Sequence, residues 1–541
     1  MCNHHNTGHI HSARPKTDTK HNEEHKTWNR RSFLQALGLV GGGTIAFANN
    51  ALTINKPSPL GMALSQSDNE NILVIVRLKG GNDGLNTVIP MYDYDTYASA
   101  RPTIKINQQD TFALDSDFAM PNFMNPLESI WGEGKMKVVH GVGYNDQSLS
   151  HFTSSDIWAN TDASNQEETG WMGRYFEDLY PDYLFNPPAS PPAIQIGSAG
   201  NLIFDGSTLN YSFAVSNPAT LFSIAENGTV YDINNLPDCT HGDKLGFLRG
   251  LVNTTYNYAG TINEAYENST DQADYGTTSL GQQLSLVARL IKGDLGTKIY
   301  MVTLDGFDTH SNQANKHQTL MSTLSETMAA FYQDLELAGW DDKVLGMTIS
   351  EFGRRPYENG SNGTDHGAAS TMLMFGPALN GNGFAGTHPD LNDVDARGNL
   401  KFDVDYRSVY TSVLTDWLCI DSGLVNLIML GQDYPTLDLG FNCSSLSTPD
   451  FDAAAMGVTH GAYYQNEDTF IHFKNPTTAH VVVKLYNLLG QEIGTIKNEM
   501  LFSGSHQFDV KRALSKELQT GQYIYRIAVS GKYYSKSLLI L

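Results

Sequence analysis

Polar side chains that can bind metals or move protons follow four short apolar segments of this chain. The segments are ILVIVRL (72–78), KMKVVHGV (135–142), KIYMVTL (298–304) and KVLGMTI (343–349). After them come Asp83; Ser148, Ser150 and His151; Asp305, Asp308, His310 and His317; and Glu351, Arg354, Asp365 and His366. Such apolar runs are typical of buried strands, and the carboxyl ends of parallel strands meet at one edge of a sheet. We therefore expect these side chains to lie close together.

Carboxylates and imidazoles in this mixture are ligands for Zn, Mn, Mg or Ca. The sequence thus predicts one or two divalent metal ions, and a two-metal site can stabilise both the attacking and the leaving oxygen of an anionic ester. The predicted ligands are Asp83, Asp305, Asp308, His310, Glu351, Asp365 and His366. A lone Asp or His in a loop is more often a cap or turn residue, so this prediction depends on the recurrence at four strand ends.

Ser150 and Arg354 are the predicted catalytic residues. Ser150 lies at a predicted helix start near the cation, where a hydroxyl can act as a nucleophile with the helix amides behind it. Arg354 could hold an anionic oxygen through two parallel hydrogen bonds. The simpler interpretations are a helix N-cap for Ser150 and a structural ion pair for Arg354.

Composition and motifs exclude several classes of protein. The charge is 35 − 58 = −23, which repels phosphate backbones and anionic lipid, so we expect no nucleic-acid partner. The segment GGNDG (80–84) lacks the spacing of the dinucleotide and Walker A loops, and neither GxSxG nor HExxH occurs. The cysteines are Cys2, Cys239, Cys419 and Cys443. The sequence allows either a Cys419–Cys443 disulfide bridge or buried free thiols.

The apolar segments alternate with helical patterns between residues 71 and 430. Helical spacing of apolar residues occurs in 284–291 and 320–337, and TMLMFG (371–376) is a further predicted strand. This alternation predicts an α/β domain with a mostly parallel sheet flanked by helices. Residues 204–280 are polar and weakly periodic, and we interpret them as an insertion with helical turns.

Both ends of the chain differ from this central domain. Residues 444–465 are predicted as a linker, and residues 466–541 alternate polar and apolar positions, which predicts a small antiparallel β-sandwich. Residues 1–50 contain a His-rich tail and then NRRSFLQALGLVGGGTIAFANN (29–50), which resembles a twin-arginine signal peptide. Its apolar part is shorter than the ~20 residues of a membrane span, so we expect no transmembrane span in the mature chain.

The central blocks also resemble a known family, DUF1501, whose members are exported bacterial proteins of uncharacterised function. The resemblance rests on VRLKGGNDGLNTVIP, SHFTSSDIW, GWMGRY, MVTLDGFDTHSNQ, SEFGRRPYENGSNGTDHGAAS and DYRSVYTSVLTDWL. The family resembles the alkaline-phosphatase-like superfamily of phosphatases and sulfatases, which implies that fold.

Carried over residue by residue, the resemblance implies metal-binding roles for Asp83, for Asp308 with His310 and for Asp365 with His366, and a nucleophilic role for Ser150. Two departures matter. No Cys-x-Pro-x-Arg or Ser-x-Pro-x-Arg segment occurs, so formylglycine chemistry is not implied. Glu351-Phe352 stands where many superfamily members have an Asp-His pair. The resemblance therefore leaves open whether a second metal is held differently or is missing.

The C-terminal segment resembles the type A sorting domain of the type IX secretion system. The matching elements are VVVKLYNLLGQEIGTI (481–496) and LQTGQYIYRIAVSGKYYSKSLLIL (518–541). With the twin-arginine signal, this resemblance implies export through both secretion machineries, to the cell surface or beyond the outer membrane. A generic β-sandwich binding module is the alternative.

The leading hypothesis is therefore an exported metal-dependent hydrolase of sulfate or phosphate esters, acting on an anionic ester or glycan with Ser150 as nucleophile. The first alternative is a non-catalytic cell-surface binding or assembly protein on the same fold. The second is another hydrolase or transferase, for instance an enzyme that modifies phosphoglycans.

Overall fold

A computed structural model describes residues 70–180, 183–184, 187–197, 200–215, 218–232, 240–420, 422–441, 443, 459–465, 468–475, 477–486, 492–514, 518, 521–529 and 532–540. The predicted tail and signal peptide (1–50) lie outside these residues, as does most of the predicted linker. The described chain forms two compact units, residues 70–441 and the residues from 443 onward.

The first unit contains both strands and helices. Its strands are β1 Ile72–Lys79, β2 Ile89–Pro90, β3 Thr111–Ala113, β4 Phe118–Pro121, β5 Met136–Gly143, β6 Ala193–Ile196, β7 Ser212–Val215, β8 Ile299–Asp305, β9 Val344–Ser350, β10 Gly353–Glu358, β11 Thr364–Gly367, β12 Ser370–Phe375, β13 Gly383–Ala385 and β14 Val404–Asp405. Its helices are α1 Tyr94–Ala100, α2 Pro126–Gly132, α3 His151–Asn160, α4 Trp171–Leu179, α5 Pro218–Asn227, α6 Thr240–Glu267, α7 Ser279–Lys292, α8 Gln313–Ala338, α9 Tyr406–Ser412 and α10 Ser422–Ile428.

The main sheet has the order β13-β5-β12-β9-β1-β8-β6-β7, with β14 also paired to β5. Strand β1 is parallel to both β8 and β9, and β6 is parallel to β8 and β7. The apolar residues Leu73–Val76 of β1 are fully buried, as expected for a central strand covered on both faces. The predicted α/β class with a mostly parallel sheet is confirmed, and each of the five predicted strands is present.

Strand β12 is the exception, because it runs antiparallel to both β5 and β9. The hairpin of β10 and β11, which pairs Gly353 with Gly367, separates β9 from β12. This hairpin returns the chain to the edge at which β9 ends. Without a crossover helix, the next strand must run in the opposite direction.

The segment 204–280, interpreted from the sequence as an insertion with helical turns, also contributes a strand to the main sheet. Strand β7 pairs with β6 at the sheet edge, and α6 is a helix of 28 residues. The periodicity was weak because α6 buries mainly its second half, around Tyr258, Ala259 and Ile262.

The second unit consists of two antiparallel sheets, as predicted. Its elements are β15 Thr459–Gln465, β16 Asp468–Asn475, β17 Ala479–Tyr486, β18 Glu492–Leu501, β19 Gly504–Asp509, α11 Val510–Leu514, β20 Gly521–Val529 and β21 Lys532–Ile540. The sheets have the orders β15-β16-β19 and β18-β17-β20-β21, and residues of both, including Phe473, Val483 and Ile527, form one core. Strand β15 lies in the segment predicted as a linker, because its pairing with β16 is not visible in the local pattern.

Two further sequence predictions can be compared with this structure. Cys419 and Cys443 are both disulfide-bonded, so the free-thiol alternative is wrong for these two residues. Among the described residues, the helices include none that is both long enough and apolar enough to cross a membrane.

Candidate metal centre

Three imidazoles and one carboxylate converge at the carboxyl edge of the main sheet. Asp308 and His310 follow β8, His151 begins α3, and His366 lies on β11. Asp308 Oδ1 lies 3.1 Å from Nε2 of both His310 and His366, and Asp308 Oδ2 lies 3.4 Å from Nε2 of His151. We call these four residues the Asp308 cluster.

The second nitrogen of each imidazole faces an acceptor outside the cluster. His151 Nδ1 lies 2.5 Å from Glu351 Oε2, and His366 Nδ1 lies 2.7 Å from the Leu149 carbonyl oxygen. His310 Nδ1 lies 3.5 Å from Asp365 Oδ1. A proton on each Nδ1 leaves a lone pair on Nε2, and this arrangement orients histidines that bind metals.

The spacing of the Nε2 and carboxylate atoms is suitable for a metal ion. The ligand atoms of His151, Asp308 and His366 all lie within 4.8 Å of one another, and Nε2 of His310 lies 2.8 Å from Nε2 of His366. Ligand atoms around a tetrahedral zinc, at ~2.0–2.1 Å from the ion, are about 3.3 Å apart. The donor set of imidazoles and a carboxylate therefore fits a divalent ion of the zinc or manganese type.

The electrostatics of the cluster favour the protonation states that ligands need. Burial alone would raise the pKa of Asp308, but the Arg354 guanidinium, which donates a hydrogen bond to this carboxylate, lowers it to about 2. Burial also lowers the pKa of His366, with the Arg354 charge acting in the same direction. At neutral pH the carboxylate is therefore charged and the His366 imidazole is neutral, which are the metal-binding forms.

Arg354 is fully buried, and its donors are used within the protein. It donates to the carbonyl oxygens of Gly80, Gly81, Phe307 and Thr364 and to Asp308 Oδ1, at 2.5–2.9 Å. These groups belong to the loops after β1 and β8 and to β11. Arg354 thus holds three segments together and orients Asp308, whereas the sequence predicted a clamp on a bound anion.

Asp83 is also held by neighbouring protein groups. Its Oδ1 accepts from the amides of Leu85 and Asn86, and its Oδ2 accepts from Gln313 and lies 2.6 Å from Arg101 Nη1. Burial would raise the pKa of Asp83, but the Arg101 charge beside it keeps that pKa below its usual range. In this structure the carboxylate caps a short helix and neutralises a buried arginine.

The other predicted ligands lie around the cluster rather than within it. Glu351 is behind His151 and also contacts Arg77 at 3.4 Å, and Asp365 is behind His310. Asp305 is exposed and pairs with Lys79 at 2.7 Å. Each of the three carboxylates therefore contacts another side chain of the protein.

Ser150 and His151 occupy the N-terminus of α3. Ser150 is the N-cap by position, yet its exposed hydroxyl makes no capping hydrogen bond. The sequence indicates His151 only as a polar residue at a helix start, and it predicts no role for this residue. The available signal was its place at the helix start that follows β5, because this point lies at the carboxyl edge of the sheet.

Comparison with known proteins gives a partial family match. The family model described as "Protein of unknown function (DUF1501)" matches residues 257–407, which is less than half of the chain. The matched segment contains Asp308, His310, Arg354 and His366 but not His151. No curated protein matches the chain.

Solved structures that resemble this chain are distant. An alkaline phosphatase from the Antarctic bacterium TAB5 is 9% identical with a TM-score of 0.25, over 58% of this chain and 94% of that one. A lipoteichoic acid synthase from Listeria monocytogenes is 10% identical with a TM-score of 0.28, over 83% and 90%. A protein in the alkaline phosphatase superfamily from Vibrio parahaemolyticus is 9% identical with a TM-score of 0.26, over 75% and 76%. These scores are too low to carry an inference about the chemistry of this chain.

Proposed function

We propose that this protein is a metal-dependent hydrolase of phosphate or sulfate esters, with the Asp308 cluster as its metal site. The observation that carries the proposal is the convergence of Nε2 of His151, His310 and His366 on Asp308, with each Nδ1 facing an acceptor. A divalent ion held there would stabilise negative charge on the oxygens of a phosphoryl or sulfuryl group.

Ser150 is the proposed nucleophile. Its hydroxyl is exposed beside His151 and makes no capping bond, and the first amides of α3 favour an anion at this point. Attack forms a bond from Ser150 Oγ to phosphorus or sulfur while the bond to the alcohol oxygen breaks. The alcohol leaves with the serine proton, and water then hydrolyses the seryl ester.

A non-catalytic binding protein is the second candidate function, and two observations favour it. Arg354 and Asp83 are both engaged by protein groups, although the sequence predicted an anion clamp and a metal ligand at these positions. A binding protein retains its ligand affinity in Ser150→Ala, whereas an esterase loses turnover in that variant and retains its metal.

The first experiment is metal analysis by mass spectrometry on protein without residues 1–50, because that segment holds six histidines. We expect bound divalent metal in the unmodified protein and its loss in Asp308→Ala and His366→Ala. Asp305→Ala is the matched control, since this exposed carboxylate pairs with Lys79 and lies outside the cluster. Turnover of 4-nitrophenyl phosphate and 4-nitrophenyl sulfate then tests the reaction. Absence of metal after reconstitution would exclude the proposed chemistry.

We also propose that the protein is exported and sorted to the cell surface or released. The twin-arginine and type IX sequence resemblances support this, together with the antiparallel second unit. Cell fractionation and mass spectrometry of both chain ends test it. An intact N-terminus on protein confined to the cytoplasm would contradict it.

A further inference from the structure

Arg354 and Arg355 are neighbours on β10 with opposite environments. Arg354 is fully buried and donates to five acceptors. The Arg355 side chain is 35% exposed, and its closest ionic contact joins Nη1 to Asp365 Oδ2 at 4.0 Å. Its Nε is buried and has no hydrogen-bond partner within the described part of the chain. Alternation along the strand explains why the two side chains point apart.

The contact with Asp365 does not provide the Arg355 guanidinium with a hydrogen-bond acceptor. A guanidinium has five N–H donors in a planar fork, and 4.0 Å is too long for a hydrogen bond. Asp365 is instead bound by Asn359 Nδ2 at 3.1 Å and lies 3.5 Å from His310 Nδ1, both through Oδ1. Arg355 therefore has free donors suited to a planar or tetrahedral anion.

Arg355 also lies beside the Asp308 cluster. Asp365 contacts Arg355 through one oxygen and His310 through the other, and His310 Nε2 contacts Asp308. Two side chains thus separate the guanidinium from Asp308. An anion bound by Arg355 would be close to the reacting group without being the same group.

We propose that Arg355 binds a second anionic group of the substrate, so that the preferred substrates are polyanionic esters, such as a glycan with more than one sulfate or phosphate. This inference rests on the proposed function. It assigns substrate selectivity to the second arginine of the pair, while the first positions Asp308.

The test compares propylphosphonate with propane-1,3-diphosphonate, which differ only in the second anionic group. Binding is measured by titration calorimetry on the full, metal-loaded chain. We expect the diphosphonate to bind at least about tenfold more tightly, because hydrogen bonds to charged groups are the strong ones. In Arg355→Ala and Arg355→Gln this preference should fall to about onefold to twofold. Arg397→Ala is the matched control, because Arg397 is an exposed arginine paired with Asp395, and it should keep the preference.

The possible outcomes separate the two proposals. Equal binding of both ligands by the unmodified protein, or an unchanged preference in both Arg355 variants, would overturn this inference alone. Failure of the metal-loaded protein to bind either ligand would overturn the proposed function and this inference with it. Metal content measured on each variant verifies that the Asp308 cluster is intact, and the Gln variant replaces the Ala variant if the latter does not fold.

Discussion

Glu351 lies behind His151 and does not contact Asp308 in the described structure. Its Oε2 is 2.5 Å from His151 Nδ1, and its side chain is buried. A carboxylate at this place orients a ligand histidine and increases its basicity. We therefore expect Glu351 to support a metal-binding histidine rather than to bind the metal directly.

Substitution of Glu351 by Gln distinguishes these two roles. We expect Glu351→Gln to weaken metal binding about 10–100-fold, as for other groups that support a ligand histidine. Metal titration monitored by competition with a chelator measures the change, and Glu133→Gln, at an exposed carboxylate paired with Lys135, is the control. Complete loss of metal from Glu351→Gln, as expected for Asp308→Ala, would show that Glu351 binds the metal directly.

Arg354 gives a prediction about stability. Its substitution by Lys removes the planar fork and leaves several buried carbonyl oxygens without donors. We expect Arg354→Lys to lower the free energy of unfolding by about 1–3 kcal/mol, because the lysine keeps the charge but leaves buried acceptors without a hydrogen bond. Urea denaturation measures this change. A fully stable variant that loses only turnover would instead support the anion clamp predicted from the sequence.

Helix α4 is positioned by two glycines, Gly170 and Gly173, at its N-terminus. A Cβ on Gly173 would lie 2.0 Å from the Asp205 carbonyl oxygen, and one on Gly170 would lie 1.8 Å from that of Leu202. The GWMGRY segment therefore permits close backbone approach between the helix and residues 202–205. In contrast, a Cβ on Gly260 in α6 would have no neighbour within 4 Å.

We expect alanine substitutions of Gly173 and Gly260 to change the free energy of unfolding in opposite directions. Gly173→Ala should lower the free energy of unfolding by about 1–3 kcal/mol, because backbone atoms cannot move away from the added methyl group. Gly260→Ala should raise it by about 0.5–1 kcal/mol through higher helix propensity. Parallel urea denaturation curves of the two variants test this. Stabilisation by both alanines would mean that α4 does not pack against residues 202–205 in this way.

The stability of the whole molecule should depend on pH through His140. This residue of β5 is buried, stacks on Phe384 and has no hydrogen-bond partner for either ring nitrogen among the described residues. Burial, with a smaller contribution from His388, lowers its pKa to about 3. The unfolded chain binds a proton on this residue near pH 6.5, whereas the folded chain does not.

Stability from His140 is therefore present above about pH 6.5 and is lost as the pH falls toward 3. Between pH 6.5 and 5 the loss should be about 2 kcal/mol. His140→Leu should remove this part of the pH dependence, and urea denaturation at pH 7 and pH 5 measures it. Equal pH dependence in the variant and the unmodified protein would show that His140 can be protonated in the folded state.

The α/β class, the five predicted strands and the antiparallel C-terminal unit could be predicted from the sequence. Each depends on the local spacing of apolar residues, such as the continuous run of β1 and the alternation of β20. Polar residues at strand ends could also be predicted to gather at one sheet edge, because parallel strands share their direction.

Which of those residues meet was decided only by the tertiary structure. His151 and Glu351 are 200 positions apart, and their contact depends on the order of the strands and on the hairpin that precedes β12. The different environments of Arg354 and Arg355 likewise follow from the two sides of one strand. Local patterns determine where strands and helices form, whereas long-range packing determines which buried charges find partners. The sequence therefore predicts Asp308, His310 and His366 of the cluster, but it could not add His151 or separate these residues from the other predicted ligands.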